Sequence, residues 1–250
     1  MNSIVEIIVL ILVGFVAGTI NTIAGGGSLL SLPILIFLGL PPGIANGTNR
    51  IAILFQNIFT TAGFKSKGVI TFPFSIYVGI SALFGAILGA QIAVDIKGET
   101  FNKILAIIMV LVVFFMVFKP KNKQLNLSEK TTGKSLWLSV FLFFFVGVYG
   151  GFIQAGVGFI MLLILSSVNN FSLVKSNAIK VTVALIYTFS AVAVFAYNDK
   201  INWKLGLVLA IGNAAGGWFA SRWSVKKGDG LVKKFLVVMV IIMAIKLWFF

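Results

Sequence analysis

The 250-residue sequence has no cysteine and no histidine. These absences exclude disulfides, thiolate and imidazole metal sites, haem ligation by either side chain, and catalysis that pairs a nucleophile with histidine. Acid is nearly as scarce, with 6 Asp and Glu against 20 Lys and Arg. Glu6, Asp95, Glu99, Glu129, Asp199 and Asp229 all fall at the ends of apolar runs or between them. A divalent-metal permease, which needs His, Cys or intramembrane acids, is therefore disfavoured, as is a proton relay through buried carboxylates. No Gly-x-x-x-x-Gly-Lys-Ser/Thr loop is present, so no nucleotide is expected in this chain. No enzyme activity, metal or cofactor is expected.

Charged residues make up only 10% of the chain and hydrophobic ones 59%, whereas a soluble domain carries about 25% charge. The apolar residues form runs at 4–20, 44–64, 72–94, 101–118, 136–152, 173–197, 203–222 and 231–250. Most are long enough to cross a hydrocarbon core of about 30 Å as helices. They lack the period-2 alternation of a β-barrel. The first run opens with Glu6 and no basic residue, which is not the basic start of a cleaved signal peptide, so it reads as a retained span. The net charge of +14 sits mainly between runs. It reads as the positive-inside bias of cytoplasmic loops rather than as a nucleic-acid surface. Trp137, Trp203, Trp223 and Trp248 stand where run ends meet the membrane interface.

The only long polar stretch, at 119–134, divides the chain almost in half, and what flanks it is similar on both sides. Gly14-Phe-Val-Ala-Gly18 leads to Asn21, and Gly147-Val-Tyr-Gly-Gly151 leads to Gln154. Asn46-Gly-Thr-Asn-Arg50 lies opposite Ser176-Asn-Ala-Ile-Lys180, and Gly85–Gly89 opposite Gly216–Ala220, at offsets near 130 residues. The expected organisation is a first membrane repeat at 1–118, a cytoplasmic linker at 119–135 and a second repeat at 136–250. Residues 4–38 would span about 52 Å as one helix, too long for a single crossing, so the chain must break at Ala24-Gly25-Gly26-Gly27-Ser28. The fold expected is all-α and polytopic, with about five membrane segments per repeat and 8–10 in total, some short or broken. Five is odd, so the repeats are expected to be inverted, with both termini outside and the basic loops at 65–71, 119–135, 169–175 and 223–230 inside. If each short pair is a re-entrant hairpin that crosses nothing, the inversion survives. If it counts as one crossing, the repeats become parallel.

Three places could carry chemistry. Asn21, the glycine triplet Gly25, Gly26 and Gly27, and Ser28 put polar side chains and helix-breaking residues inside an apolar region. Non-helical backbone at membrane depth is tolerated where it is buried in protein or lines a watery cavity, where its amides can bind a substrate. Gln154-Ala-Gly-Val-Gly158 is the second copy, and in both places the alternative is tight helix packing through small residues. Pro41-Pro42-Gly43 should start a helix near residue 43, which carries Asn46, Thr48 and Asn49 and sets Arg50 about 10 Å inside it. Ser172 should cap the helix carrying Asn177 and Lys180. Arg50 and Lys180 either snorkel to the interface or, with no carboxylate inside any run, pair with a bound anion at one central site. The glycines of 79–89 and 206–217 read as helix contacts, with Asn213 able to face a cavity.

The stretch from Gly14 through Asn21, Gly25-Gly-Gly-Ser28 and Pro33 to Pro41-Pro-Gly-Ile-Ala-Asn-Gly-Thr-Asn-Arg50 resembles the TauE/SafE family of membrane permeases, also called sulfite exporters. The resemblance runs on through the second copy at 147–180. It implies a secondary transporter of small sulfur-containing anions such as sulfite or organosulfonates, working by alternating access between the repeats. A passive anion channel and a non-transporting membrane subunit remain open alternatives. The expected partners are a small anionic substrate and the lipid bilayer of the cell membrane, with self-association open and no nucleic acid.

Overall fold

A computed structural model describes residues 4–117 and 128–224. Most of the linker and the last apolar run, 231–250, lie outside the described residues. Within them every regular element is a helix: α1 (Ile4–Ala24), α2 (Ser28–Phe37), α3 (Pro42–Lys65), α4 (Phe74–Asp95), α5 (Gly98–Val117), α6 (Gly133–Phe152), α7 (Val157–Ser167), α8 (Leu173–Tyr197) and α9 (Trp203–Ser224). Four of these, α1, α4, α6 and α8, are both long and apolar enough to cross a membrane. Their outer faces carry exposed Ile, Leu, Val, Phe and Trp side chains, such as Phe84, Phe141, Phe189 and Trp137. With no water to accept them there, such faces require lipid. The chain is a multi-pass helical membrane protein.

Local sequence sets the boundaries. Pro42 occupies the first turn of α3, where its missing N–H has no bond to lose. The Ser172 hydroxyl accepts the Lys175 amide at 3.3 Å and starts α8. α1 ends at the glycine triplet, where Gly25 takes φ +83°, and α6 ends at Phe152, before Gln154 at φ +61° and Gly156 at φ +74°. The first segment is longer than the expectation of two short ones. α1 has 21 residues, about 31 Å, while α2 has ten, about 15 Å.

The long-short-long order of α1–α2–α3 recurs as α6–α7–α8, and α4 corresponds to α9, at starting offsets near 130 residues. Packing does not follow the two sequence halves. α9 runs along α1, with Gly14 against Leu209 and Gly18 against Asn213, and along α3, with Gly206 against Thr48 and Gly217 against Thr60. Reciprocally, α4 runs along α6, with Ser81 donating to the Val140 carbonyl and Gly85 against Phe144, and along α8, with Ser190 donating to the Leu83 carbonyl. A Cβ on Gly85 or Gly89 would run into the Phe144 or Val148 carbonyl, so the backbones touch. The described residues thus form two bundles, one of α1, α2, α3, α5 and α9 and one of α4, α6, α7 and α8, each borrowing one helix from the other half of the sequence.

The bundles meet along α3 and α8, the most enclosed helices, which run antiparallel. Gly47 near the start of α3 lies against Phe195 and Lys200 at the end of α8, while Phe64 at the end of α3 packs on Ala178 and Val181. The turn after α3, the end of α9 and the entry to α4 share one end of the molecule, through Arg222 to Ser66 and Phe74 on Phe171. Pro42 and Gly98 mark the other end.

Candidate functional site

The two helix breaks reach the bundle interface from opposite bundles and touch. A Cβ on Gly25 would lie 2.6 Å from the Gly158 Cα, and its positive φ is one that L side chains rarely adopt. Each break ends a long helix inside the protein, where its last carbonyls run out of intrahelical partners, although the Asn21 carbonyl still accepts the Gly25 amide at 2.9 Å. The opposite bundle supplies the donors. Arg50 on α3 donates through Nη1 to the Gly150 carbonyl (2.9 Å) and the Gln154 side-chain oxygen (3.0 Å), and through Nη2 to the Gly151 carbonyl (2.6 Å) and Asn46 Oδ1 (3.3 Å). Asn46 Nδ2 donates to the Phe152 carbonyl at 2.8 Å. The same arrangement holds the end of α1. Lys180 Nζ on α8 donates to the Asn21 and Thr22 carbonyls (2.8 and 3.0 Å) and to Asn177 Oδ1 (2.6 Å), and Asn177 Nδ2 donates to the Ile23 carbonyl at 3.2 Å.

Each cation–asparagine pair is therefore a clasp across the bundle interface, closing on three successive carbonyls of a helix C-terminus. A cation belongs there, because the carbonyl end of a helix carries partial negative charge. The lack of carboxylates suggested a bound anion as the natural partner of Arg50 and Lys180. The folded chain gives both of them carbonyl partners as well. Arg50 is fully buried and its guanidinium also lies 4.7 Å over the Phe195 ring.

A narrow cavity, with room for about one water molecule (≈ 10 Å³), lies between the breaks. Asn21 and Ser28 line it from the first break, Gln154, Val157 and Gly158 from the second, Ile53 and Asn57 from α3, and Lys180 and Tyr187 from α8. Among the described residues its lining contains no acid. The short helices α2 and α7 both begin at it, with Ser28 and Val157. Their first amides precede the intrahelical ladder, so both helix starts present positive partial charge.

The residues singled out in the sequence divide by place. Asn21, Ser28, Gln154 and Lys180 come together at the cavity. Gly25, Gly26 and Gly27 are buried in the first break. Arg50, Asn46 and Asn177 belong to the clasps. Thr48 accepts the Asn202 amide that leads into α9, and Asn49 accepts the Ser31 hydroxyl of α2, so these two fasten neighbouring helices. Asn213 is buried against α1 at Gly14 and Gly18. Asn57, Gln56 and Tyr187 were not anticipated: Gln56 accepts the Asn21 amide at 3.1 Å, and Asn57 and Tyr187 line the cavity. The adjacent amides Gln56-Asn57 inside an apolar run were the available signal.

Comparison with known proteins agrees with this architecture. The probable membrane transporter protein of Haemophilus influenzae is 28% identical over 96% of this chain and 93% of its own length. The probable membrane transporter protein ORF9 of a Sinorhizobium species is 27% identical over 95% of this chain and 90% of its length. The probable membrane transporter protein YfcA of Escherichia coli K12 is 26% identical over 96% and 88%. No solved structure matches the chain. Residues 10–247 match the family described as sulfite exporter TauE/SafE, and the chain belongs to that family of membrane transporters.

Proposed function

We propose that this protein is a secondary transporter of small sulfur-containing anions, sulfite or organosulfonates, in the cell membrane, and that the cavity between the two helix breaks is its substrate site. The carrying observation is the character of the cavity: among the described residues the buried Asn57 amide is without a partner, the Lys180 cation and Gln154 stand beside it on bonds that a ligand can replace, α2 and α7 both start at it, and its lining holds no acid. An oxyanion is held by such donors through charge-assisted and amide hydrogen bonds. The cavity as it stands is smaller than any such anion, so on this reading the bundles must part to admit one.

The reciprocal correspondence of helices and the antiparallel run of α3 and α8 support an inverted repeat, and with it alternating access. The two clasps lie towards opposite ends of the α3–α8 interface and bridge the two bundles. Rocking of one bundle against the other would release the Arg50 clasp in one direction and the Lys180 clasp in the other, opening the site to alternate sides. The protein is read as a carrier rather than an enzyme.

Purified protein in proteoliposomes tests the reading. Sulfite or 2-hydroxyethanesulfonate uptake should saturate and should be accelerated by the same anion on the opposite side. Lys180→Gln should weaken anion binding by about tenfold or more, the equivalent of one lost charge-assisted hydrogen bond. Uptake no faster than in protein-free vesicles for every anion tried, or Lys180→Gln binding as the parent does, would sink it.

A further inference from the structure

We propose that Asn57 makes the site demand a hydrogen-bond donor on its anion, so that the substrate is an organic anion bearing a hydroxyl, ammonium or acid proton beside its charged group. The inference rests on the reading of the cavity as an anion site and adds what the anion must carry.

Asn57 lies in the interior of α3, is 1% exposed and lines the cavity. Both its Nδ2 and its Oδ1 are buried without a hydrogen-bond partner among the described residues. Exchanging the amide nitrogen and oxygen would change nothing, since neither position is satisfied. The Tyr187 hydroxyl, also in the lining, is likewise buried without a partner among the described residues, but as a rotatable hydroxyl it can meet an acceptor or a donor, whereas the Asn57 oxygen can only accept. Three other polar groups of the lining are engaged. Asn21 Nδ2 donates to Gln56, Gln154 accepts from Arg50 and donates to Thr188, and Lys180 has three acceptors. A buried amide with both ends unmet is costly, and its pairing by a ligand is correspondingly selective.

A fully ionised oxyanion has only acceptors. It can take the Nδ2 protons, but it turns negative oxygens toward Oδ1 and leaves that atom unpaired. An anion that also carries a donor satisfies both ends of the amide. Ile53, Val157, Met161, Val181 and Ala184 complete the lining with apolar surface, which suits a short carbon skeleton between the charged group and the donor. A site built to hydrogen-bond a substrate group rejects the isostere that lacks it, because the buried partner is then left unmet.

The test uses the purified full chain and two probes of nearly equal size, 2-hydroxyethanesulfonate and propane-1-sulfonate, in which a methyl replaces the hydroxyl. The parent should bind the hydroxylated anion about tenfold or more tightly. Asn57→Leu should reduce that preference below about threefold while leaving the unliganded protein at least as heat-stable as the parent, since it removes two unmet polar atoms. Asn57→Val provides a second apolar variant should leucine not fold. If the parent binds both probes within about threefold, the donor requirement is wrong although the anion site stands. Preference that persists in both variants places the donor's partner elsewhere. Failure of the parent to bind either probe or sulfite overturns the anion reading itself.

Discussion

Replacing Arg50 by methionine separates a clasp from a ligand contact. The substitution keeps the unbranched stem but removes the guanidinium and all four of its hydrogen bonds, two of them to the Gly150 and Gly151 carbonyls. Those carbonyls terminate α6 inside the protein, so after substitution they face neither water nor donor. Charge-assisted hydrogen bonds contribute about 1.5–3 kcal/mol each, and polar contacts in membrane proteins fall toward the low end of such values. The two carbonyl bonds together are therefore worth about 3 kcal/mol. Thermal unfolding in detergent should show a fall of about 6–12 °C for a chain of this size. Arg50→Lys, which keeps charge but cannot reach both carbonyls with a planar fork, should lie between parent and Arg50→Met. Gln154→Leu should couple with Arg50→Met by about 0.5 kcal/mol or more, because the two side chains bond directly. If Arg50→Met unfolds at the parent's temperature but no longer binds anions, Arg50 contacts the substrate and the clasp is the wrong description.

Three further outcomes follow from the packing. Gly25→Ala should insert normally yet abolish anion transport, because it strains a positive-φ position and forces the break away from Gly158; full transport in proteoliposomes would show that the contact is dispensable. Gly85→Leu should instead reduce the yield of folded protein through loss of the α4–α6 backbone contact, and normal yield on size-exclusion chromatography would contradict it. With no native cysteine to interfere, Lys67→Cys and Asn198→Cys, both at exposed positions, should react with an impermeant thiol reagent from the inside and the outside of the membrane respectively; labelling of both from one side would rule out the proposed sidedness.

Much of this fold is legible in the sequence because membranes impose simple rules. Length and apolarity mark α1, α4, α6 and α8, Pro42 and Ser172 start their helices, and the glycine triplet ends α1. The partners of the two intramembrane cations are not legible, for a definite reason. Arg50 and Lys180 are met chiefly by backbone carbonyls, and a carbonyl has no sequence signature because every residue carries one. Searching for Asp or Glu therefore finds nothing, although a helix end supplies the same sign of charge. Gln154 shows a related difficulty. Its place after Gly147–Gly151 pairs it with Asn21 by pattern, yet Asn21 lies in the last turn of α1 while Gln154 lies past the end of α6 at positive φ. Polar residues near two breaks need not be equivalent when the breaks differ in shape.

The exchange of α4 and α9 between bundles constrains how any transport motion can occur. If the two sequence halves moved as rigid bodies, the Gly14–Leu209 and Gly85–Phe144 contacts would have to slide, and backbones that close cannot slide without collision. The bundle interface is of a different kind. It includes the α3–α8 contact, the meeting of Gly25 with Gly158, the packing of Ile153 and Ala155 on the first bundle's core, a cavity, and two clasps built from hydrogen bonds that can be exchanged for bonds to water or substrate. A transport motion of the proposed kind therefore runs between bundles rather than between halves. It leaves each long helix on its glycine-lined neighbour and alters only the surface that holds the site. The clasps then do two things with one set of bonds: they complete the helix ends that shape the cavity, and they tie together the two surfaces that, under the proposed function, part to admit a substrate.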